Sequence, residues 1–152
     1  MSSKTHAVLT LLIGLVAMIV PLEGAEAGDI TYFIQLVRGT SDGVPPSTDS
    51  RPIGPKIANT FRPVFKWSHY WEMSRQEVTL SRGKKIRIQL APERSVEIDL
   101  TDPAHRKVTA FEGKKPVSTV VDPVGGAMSI IGGDRTGSGS WFIVVRRDMP
   151  TT

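Results

Sequence analysis

The sequence predicts an all-β protein: an antiparallel β-sandwich or a partly open barrel of about eight short strands, with one short helix near residues 55-62. Three observations indicate this fold. Short runs rich in β-branched and aromatic residues recur along the chain. Between positions 78 and 100 the apolar residues are even-numbered and their neighbours polar, which is typical of strands with one buried face. Clusters of Gly, Pro, Ser and Asp separate the runs and predict turns.

Residues 1-27 are predicted to be a cleavable secretory signal peptide. A basic start precedes a charge-free apolar run at 7–20, and an AxA cleavage pattern ends at Ala27. This run is shorter than the roughly 20 apolar residues that a membrane-spanning helix needs. We therefore expect an exported protein, periplasmic or extracellular, with a retained amino-terminal anchor as the alternative.

Residues 28-152 are predicted to form a single globular β-domain with no membrane span. The chain contains no cysteine, so neither a disulfide nor a lipid on cysteine can hold it, which suits a bacterial envelope or extracellular setting. Removing residues 1-27 would leave 18 basic and 13 acidic residues, a formal charge of +5. This modest excess favours encounters with anionic partners but selects none of them.

The amino-terminal half of the domain is predicted to hold a strand, a loop and the helix. The run ITYFIQLVR at 30–38 places apolar residues on both parities, so both faces of this strand are expected to be covered. Residues 40-53 are dense in Ser, Thr, Asp, Gly and Pro and predict a surface loop. Pro55 suits the first position of a helix, and Pro63 ends it. We expect this helix to lie across an open end or a sheet edge.

The clearest pattern is EVTLSRGKKIRIQLAPERSVEIDL at 77–100, which predicts three antiparallel strands whose apolar side chains share one core. Three-residue turns at 82–84 and 92–94 would keep these even-numbered positions on one face. This arrangement predicts Val78 opposite Ile88, Ile88 opposite Ile98, and Arg87 opposite Asp99.

The carboxyl-terminal half is predicted to contain two more hairpins. The runs VTAF and PVSTVV flank an EGKK turn, and AMSII at 127–131 is joined to SWFIVVRR at 140–147 by a glycine-rich segment. Because the last run is apolar on both parities, we expect it to be a central strand.

No catalytic, metal-binding or cofactor-binding residue is predicted. His69 and His105 lack the spacing of a metal site, and the chain has no GxSxG or SxxK motif. The basic residues do not alternate with aromatics, so nucleic acid is not an expected partner. The segment GGDRTGSG at 132–139 feeds a strand rather than a helix, which favours a hairpin turn over a phosphate loop.

The main candidate site is the aromatic stretch KWSHYWEM at 66–73. In one regular strand, the odd-numbered Trp71 and Met73 would face away from the even-numbered core residues that follow at 78 and 80. A bulge around 74–76 would reverse this and send Trp71 and Met73 into the core. Without a bulge, the stretch would form an exposed binding patch suited to a protein or a sugar ring. The candidate partner-binding residues are Lys66, Trp67, His69, Tyr70 and Trp71, together with Asp134 and Arg135 of the glycine-rich turn.

Three functions follow from these patterns. The first is an exported, non-enzymatic module that binds a protein of the bacterial envelope or extracellular space. The second is a carbohydrate-binding module that uses the aromatic stretch to bind a polysaccharide. The third is a hydrolase whose site has no recognisable motif, which would require a histidine beside a serine and a carboxylate.

Overall fold

A computed structural model of the chain describes residues 28–136 and 139–151, apart from the side chains of 133–136. The predicted signal peptide lies outside these residues. The described residues form nine strands and one short helix, in the order β1 (Ile30–Thr40), β2 (Arg51–Pro52), α1 (Pro55–Phe61), β3 (His69–Leu80), β4 (Lys85–Ala91), β5 (Arg94–Asp99), β6 (His105–Glu112), β7 (Lys115–Pro123), β8 (Met128–Thr136) and β9 (Gly139–Arg146). The predicted all-β sandwich with one short helix is confirmed.

The strands form two open antiparallel sheets. The five-stranded sheet has the order β2-β3-β1-β9-β8, and the four-stranded sheet has the order β4-β5-β6-β7. The expectation that the last strand is central is correct, since β9 lies between β1 and β8. In the part of the chain that the structure describes, no helix is long and apolar enough to cross a membrane.

The main core lies between the two sheets and contains the even-numbered apolar residues of the 77–100 block, as the parity predicts. Its buried residues are Ile30, Tyr32, Ile34, Leu36, Leu80, Leu90, Val96, Ile98, Leu100, Val108, Ala110, Ile131, Ile143 and Val145. Val78, Ile86 and Ile88 are partly buried against them.

The predicted hairpin between β3 and β4 is wrong, because the connection at 81–84 crosses from one sheet to the other. Val78 pairs with Tyr32 on β1, and Ile88 pairs with Val96 on β5. The parity cannot separate these two arrangements, because strands in opposed sheets also point their apolar side chains into the shared core.

The predicted pairing of β4 with β5 is shifted by two residues. The turn contains only Pro92 and Glu93, and a bulge beside Ala91 adds the remaining residue. Arg87 therefore pairs with Glu97 at 3.1 Å rather than with Asp99. A two-residue turn with one bulged residue keeps each side chain on the same face of the sheet as a three-residue turn would. The predicted core face of β4 and β5 was therefore right, although the predicted cross-strand partners were wrong.

A second core covers the outer face of the five-stranded sheet. Helix α1 lies on this face, not across an open end or a sheet edge, because Ile57 and Phe61 pack against apolar residues of the outward parity of β1, β3 and β9. The buried members are Val37, Ile57, Phe61, Tyr70, Phe142 and Val144. The ring of Phe61 lies 5.1 Å from that of Tyr70 and 5.0 Å from that of Phe142. Both faces of β1 are thus covered, as its composition predicts.

Polar networks fasten this outer layer. Glu72 is buried and accepts hydrogen bonds from the Gln35 amide and from the Arg75 guanidinium, the latter at 2.9 Å. Asp148 accepts from Lys56 of α1 at 2.7 Å and from Arg146 of β9. The Arg146 guanidinium, and after it Lys56, hold the pKa of Asp148 well below its usual range.

One end of the sandwich is filled by Arg106, whose exposed fraction is 0%. Its guanidinium donates to Ser129 Oγ at 2.8 Å and to the Gly126 carbonyl at 3.0 Å, and it lies 5.3 Å from the Tyr32 ring. Asp122 lies 4.0 Å away and supplies the opposite charge. Because Arg106 and Ser129 belong to different sheets, this contact joins the two layers.

Candidate binding site at the open end of the sandwich

A bulge in β3 decides which way the aromatic stretch points. Leu36 of β1 pairs with Ser74, but the next residue, Val37, pairs with Glu72, so Met73 is the extra residue. The bulge lies one residue before the predicted range 74–76. Within the part of β3 before Met73, His69 and Trp71 lie on the inner face of the sheet and Tyr70 and Glu72 on the outer face.

Trp67 and Tyr70 pack on the outer face. Tyr70 is buried in the second core and donates its hydroxyl hydrogen to the Phe65 carbonyl at 3.1 Å, and burial raises the pKa of this phenol. Trp67 is half-buried against the same core and lies flat on Gly39, where a Cβ would approach its Cδ1 to 2.6 Å. Lys66 is exposed. These three residues therefore do not join the inner face.

His69 and Trp71 lie on the inner face, beyond the filled part of the main core. His69 is exposed and Trp71 is partly buried. Their rings are 6.4 Å apart and within 16° of parallel. The Trp71 indole N–H donates to Thr40 Oγ1 at 3.3 Å, which fixes the ring at the rim. The predicted aromatic patch is thus divided between the two faces of the sheet.

A second tryptophan completes the inner-face surface. Arg38 pairs with Trp71 on one side and with Trp141 on the other, so the three residues form one row across β3, β1 and β9. The Arg38 guanidinium lies 5.0 Å from the centre of the Trp141 ring, and that of Arg94 on β5 lies 4.9 Å from it. Both distances are within the range of cation–π contacts. We call these five residues, Arg38, His69, Trp71, Arg94 and Trp141, the open-end surface.

Two cavities meet at Trp141. One, of about 330 Å³, lies between β6 and β7 of one sheet and β8 and β9 of the other, and its polar lining includes Arg94 and Glu112. The other, of about 520 Å³, lies beside the loop after β1 and is lined by Arg38, Asp42, Val44, Pro45, Pro46 and Met73. Trp141 therefore has concave space on both sides, and each cavity offers a cation and a carboxylate with apolar walls.

Asp134 and Arg135 can be placed by their backbones alone. The strand register pairs Asp134 with Trp141 and Arg135 with Ser140. Both therefore belong to the end of β8 that borders the open-end surface.

His69 and His105 lie at opposite ends of the sandwich. His105 hydrogen-bonds Asp102 at 3.1 Å, and the backbone N–H of Ala104, followed by the His105 side chain, lowers the pKa of Asp102. The adjoining cavity of about 190 Å³ is lined by Asp99, Thr101, Asp102, His105, Lys107 and Val121, so Thr101 rather than a serine provides the hydroxyl. That hydroxyl donates to Asp99 at 2.6 Å. The hydrolase hypothesis asked for a serine at such a pair, and the described residues do not bring one there. They also contain no group of three metal-ligating side chains.

Arg38, Arg94 and Trp141 were not among the residues singled out from the sequence. A signal for Arg38 does exist: it has the same parity as Ile34 and Leu36, which are core residues. A charged residue at a position that alternation assigns to the core indicates that the strand extends beyond the core there. Nothing in the sequence indicates that Arg94 lies over Trp141, since they belong to different sheets.

Comparison of the chain with protein-family models, with curated proteins and with solved structures finds no match. The geometry of the open end is therefore what supports a function.

Proposed function

We propose that the chain is an exported, non-enzymatic β-sandwich module that binds a protein partner of the bacterial envelope or extracellular space through the open-end surface. The observation that carries this proposal is the row Trp71–Arg38–Trp141, in which both indoles are partly exposed and Trp141 lines two cavities. Export is supported by the signal-like pattern at 1-27.

The composition and rigidity of the row favour a protein partner. Tryptophan and arginine are the residues most enriched at the energetic centres of protein interfaces. Here their side chains are held before any partner arrives: Trp71 by Thr40, and Trp141 by two guanidinium groups. Ordering these side chains in advance reduces the entropy that binding would cost.

A polysaccharide is the second candidate ligand. The observation that favours it is the near-parallel pair His69–Trp71, which presents a flat aromatic face at the rim. Aromatic faces bind sugar rings through their apolar side. Quenching of tryptophan fluorescence by soluble glycans, lost in Trp71→Ala and kept in Trp67→Ala, would favour this ligand over a protein.

The protein-binding proposal can be tested by crosslinking in the native cell followed by affinity recovery. We expect a reproducible protein adduct with the wild-type chain, loss of most of that adduct with Trp141→Ala, and full recovery with the control Val64→Ala. Val64 is 69% exposed and lies in the layer on the opposite face of the sheet. Equal recovery from all three chains would contradict the proposal. The mass of the recovered chain also tests cleavage after Ala27.

A further inference from the structure

The exposed edges of the two sheets differ in how they resist pairing with other chains. The edge strand β2 has only two residues, β4 carries Lys85 and Arg87, and β8 is bulged near its middle. Short length, charge and bulges all prevent edge-to-edge association. The edge strand β7 has nine residues and pairs only with β6 among the described strands.

Residues 118–121 of β7 have none of these protections, because the bulge at Val117 and the charges of Lys115 and Asp122 lie just outside them. Most of the side chains at 118–121 are exposed. Val121 is 56% exposed, which is unusual for a β-branched apolar residue on a strand. The bulge of β7 is at Val117, and Pro123 ends the strand, so 118–122 is a regular stretch with every backbone N–H present.

This regular stretch is self-complementary. When two identical antiparallel strands extend one sheet about a twofold axis, each residue faces one of the same parity. Centring the axis on Val120, the midpoint of 118–122, places Thr119 of each copy opposite Val121 of the other. Both side chains are exposed on the outer face, and pairs of β-branched residues stabilise neighbouring strands. Lys114 and Lys115 would face Gly126 and Gly125, so no like charges meet.

We propose that β7 is a homodimerisation edge, at which two copies of the chain pair antiparallel through 118–122 and join their four-stranded sheets into one sheet of eight strands. The interface contains none of the five residues of the open-end surface, although Ser118 lines the cavity of about 330 Å³ beside Trp141. The pairing of β7 does not depend on the function proposed above. A second copy satisfies the open backbone groups of both chains at once, and the register avoids repulsion at the ends of the strand.

Two double variants, each with two new charged residues, test both whether a second copy of the chain pairs with β7 and whether it does so in the proposed register. Thr119→Lys with Val121→Lys places like charges opposite each other twice, so we expect the dimer to dissociate at least about tenfold more readily. Thr119→Lys with Val121→Glu places opposite charges at the same two contacts, so its dimer should stay within about threefold of wild type. The measurement is the sedimentation equilibrium of the purified full chain, with circular dichroism to verify that each variant is folded.

A measurement on the unmodified chain keeps the proposal testable if either variant fails to fold. Half of the backbone amides at 118–122 point away from β6, and dimerisation should slow their hydrogen exchange as protein concentration rises. A wild-type chain that stays monomeric at about 100 µM would overturn the proposal. So would a dimer that the two double variants affect equally, which would place the contact elsewhere.

Discussion

The two faces of the five-stranded sheet use aromatic rings in opposite ways. On the outer face, Phe61 of α1 and the sheet residues Tyr70 and Phe142 are buried against one another, with ring centres 5.0–6.1 Å apart. On the inner face at the open end, Trp71 and Trp141 are partly exposed, although Trp141 also packs against the main core. Neighbouring residues of one strand, Tyr70 and Trp71, therefore have different roles.

This contrast shows that coverage by a second layer, rather than residue type, decides the role of an aromatic ring. A ring under α1 contributes to the free energy of unfolding, because it removes apolar area from water on both sides. A ring at the open end keeps part of that area exposed, where a partner can bury it. Substitutions on the two faces should separate stability from binding.

The largest effect on stability is expected at Phe61. Phe61→Ala would leave a cavity among Phe65, Tyr70 and Phe142, and should lower the free energy of unfolding by about 3–5 kcal/mol. Urea denaturation of this variant and of the exposed control Val64→Ala measures the difference. A loss below about 1 kcal/mol would mean that α1 does not cover the outer face as described.

A smaller loss is expected at Glu72, the buried carboxylate of the outer face. Glu72→Ala removes an acceptor shared by Gln35 and Arg75, so the buried amide of Gln35 loses its partner and the Arg75 guanidinium keeps only the Pro150 carbonyl. We expect the free energy of unfolding to fall by about 2–3 kcal/mol. The matched control is Glu77→Ala, because Glu77 is exposed on the same strand and should change stability by less than about 0.5 kcal/mol. Equal effects would contradict a buried network.

At the open end the order of effects should reverse. Trp71→Ala should lower the free energy of unfolding by less than Phe61→Ala does, by about 1–2 kcal/mol, since the ring is partly exposed and makes one hydrogen bond. Recovery of the crosslinked partner should nevertheless fall at least about tenfold, the loss typical of an interface anchor. Thermal denaturation and partner recovery measured on the same preparation give both values. A large loss of stability with normal recovery would identify Trp71 as structural.

The smallest effect on the free energy of unfolding is expected for the ion pairs of Asp148 with Lys56 of α1 and Arg146 of β9, and it should depend on pH. Because Arg146 and Lys56 lower the pKa of Asp148 in the folded protein, the stabilisation is present above the unfolded pKa, near 4, and is lost as pH falls below it. The Asp148 side chain is 42% exposed, so solvent screening limits this contribution to about 1 kcal/mol or less. Asp148→Asn should therefore be less stable than wild type at pH 6, and the difference should shrink as the pH falls from about 4 toward 2. A constant difference between these pH values would contradict the ionic tie.

The parities of the strands were readable from the sequence because each core face requires apolar residues at every second position. Val96 and Ile98 were assigned to the core for this reason. The sequence could not predict whether β3 pairs with β4. Strands of the same sheet and strands of opposed sheets both point alternate apolar side chains into the shared core. The placement of α1 on the outer face depends on long-range packing of Phe61 against Phe142, which local patterns do not encode.

The candidate site was only half readable. The parity conflict between Trp71 and Val78 left two alternatives, a bulge around 74–76 with Trp71 in the core, or an exposed patch. The structure has a bulge at Met73, and it leaves Trp71 partly exposed. Which rings the bulge leaves exposed depends on where the opposed sheet ends. The contact of Arg94 with Trp141 joins residues from different sheets and 47 positions apart, so no local spacing predicts it.

The most direct test compares a photocrosslinking residue at two exposed positions on opposite faces, His69 at the open end and Val64 in the α1 layer. Each position is replaced in turn by a benzophenone amino acid, and living cells are irradiated. We expect a specific protein adduct from position 69 that the added substitution Trp141→Ala removes, and none from position 64. An adduct from position 64 alone, or equal adducts from both positions, would contradict binding at the open end.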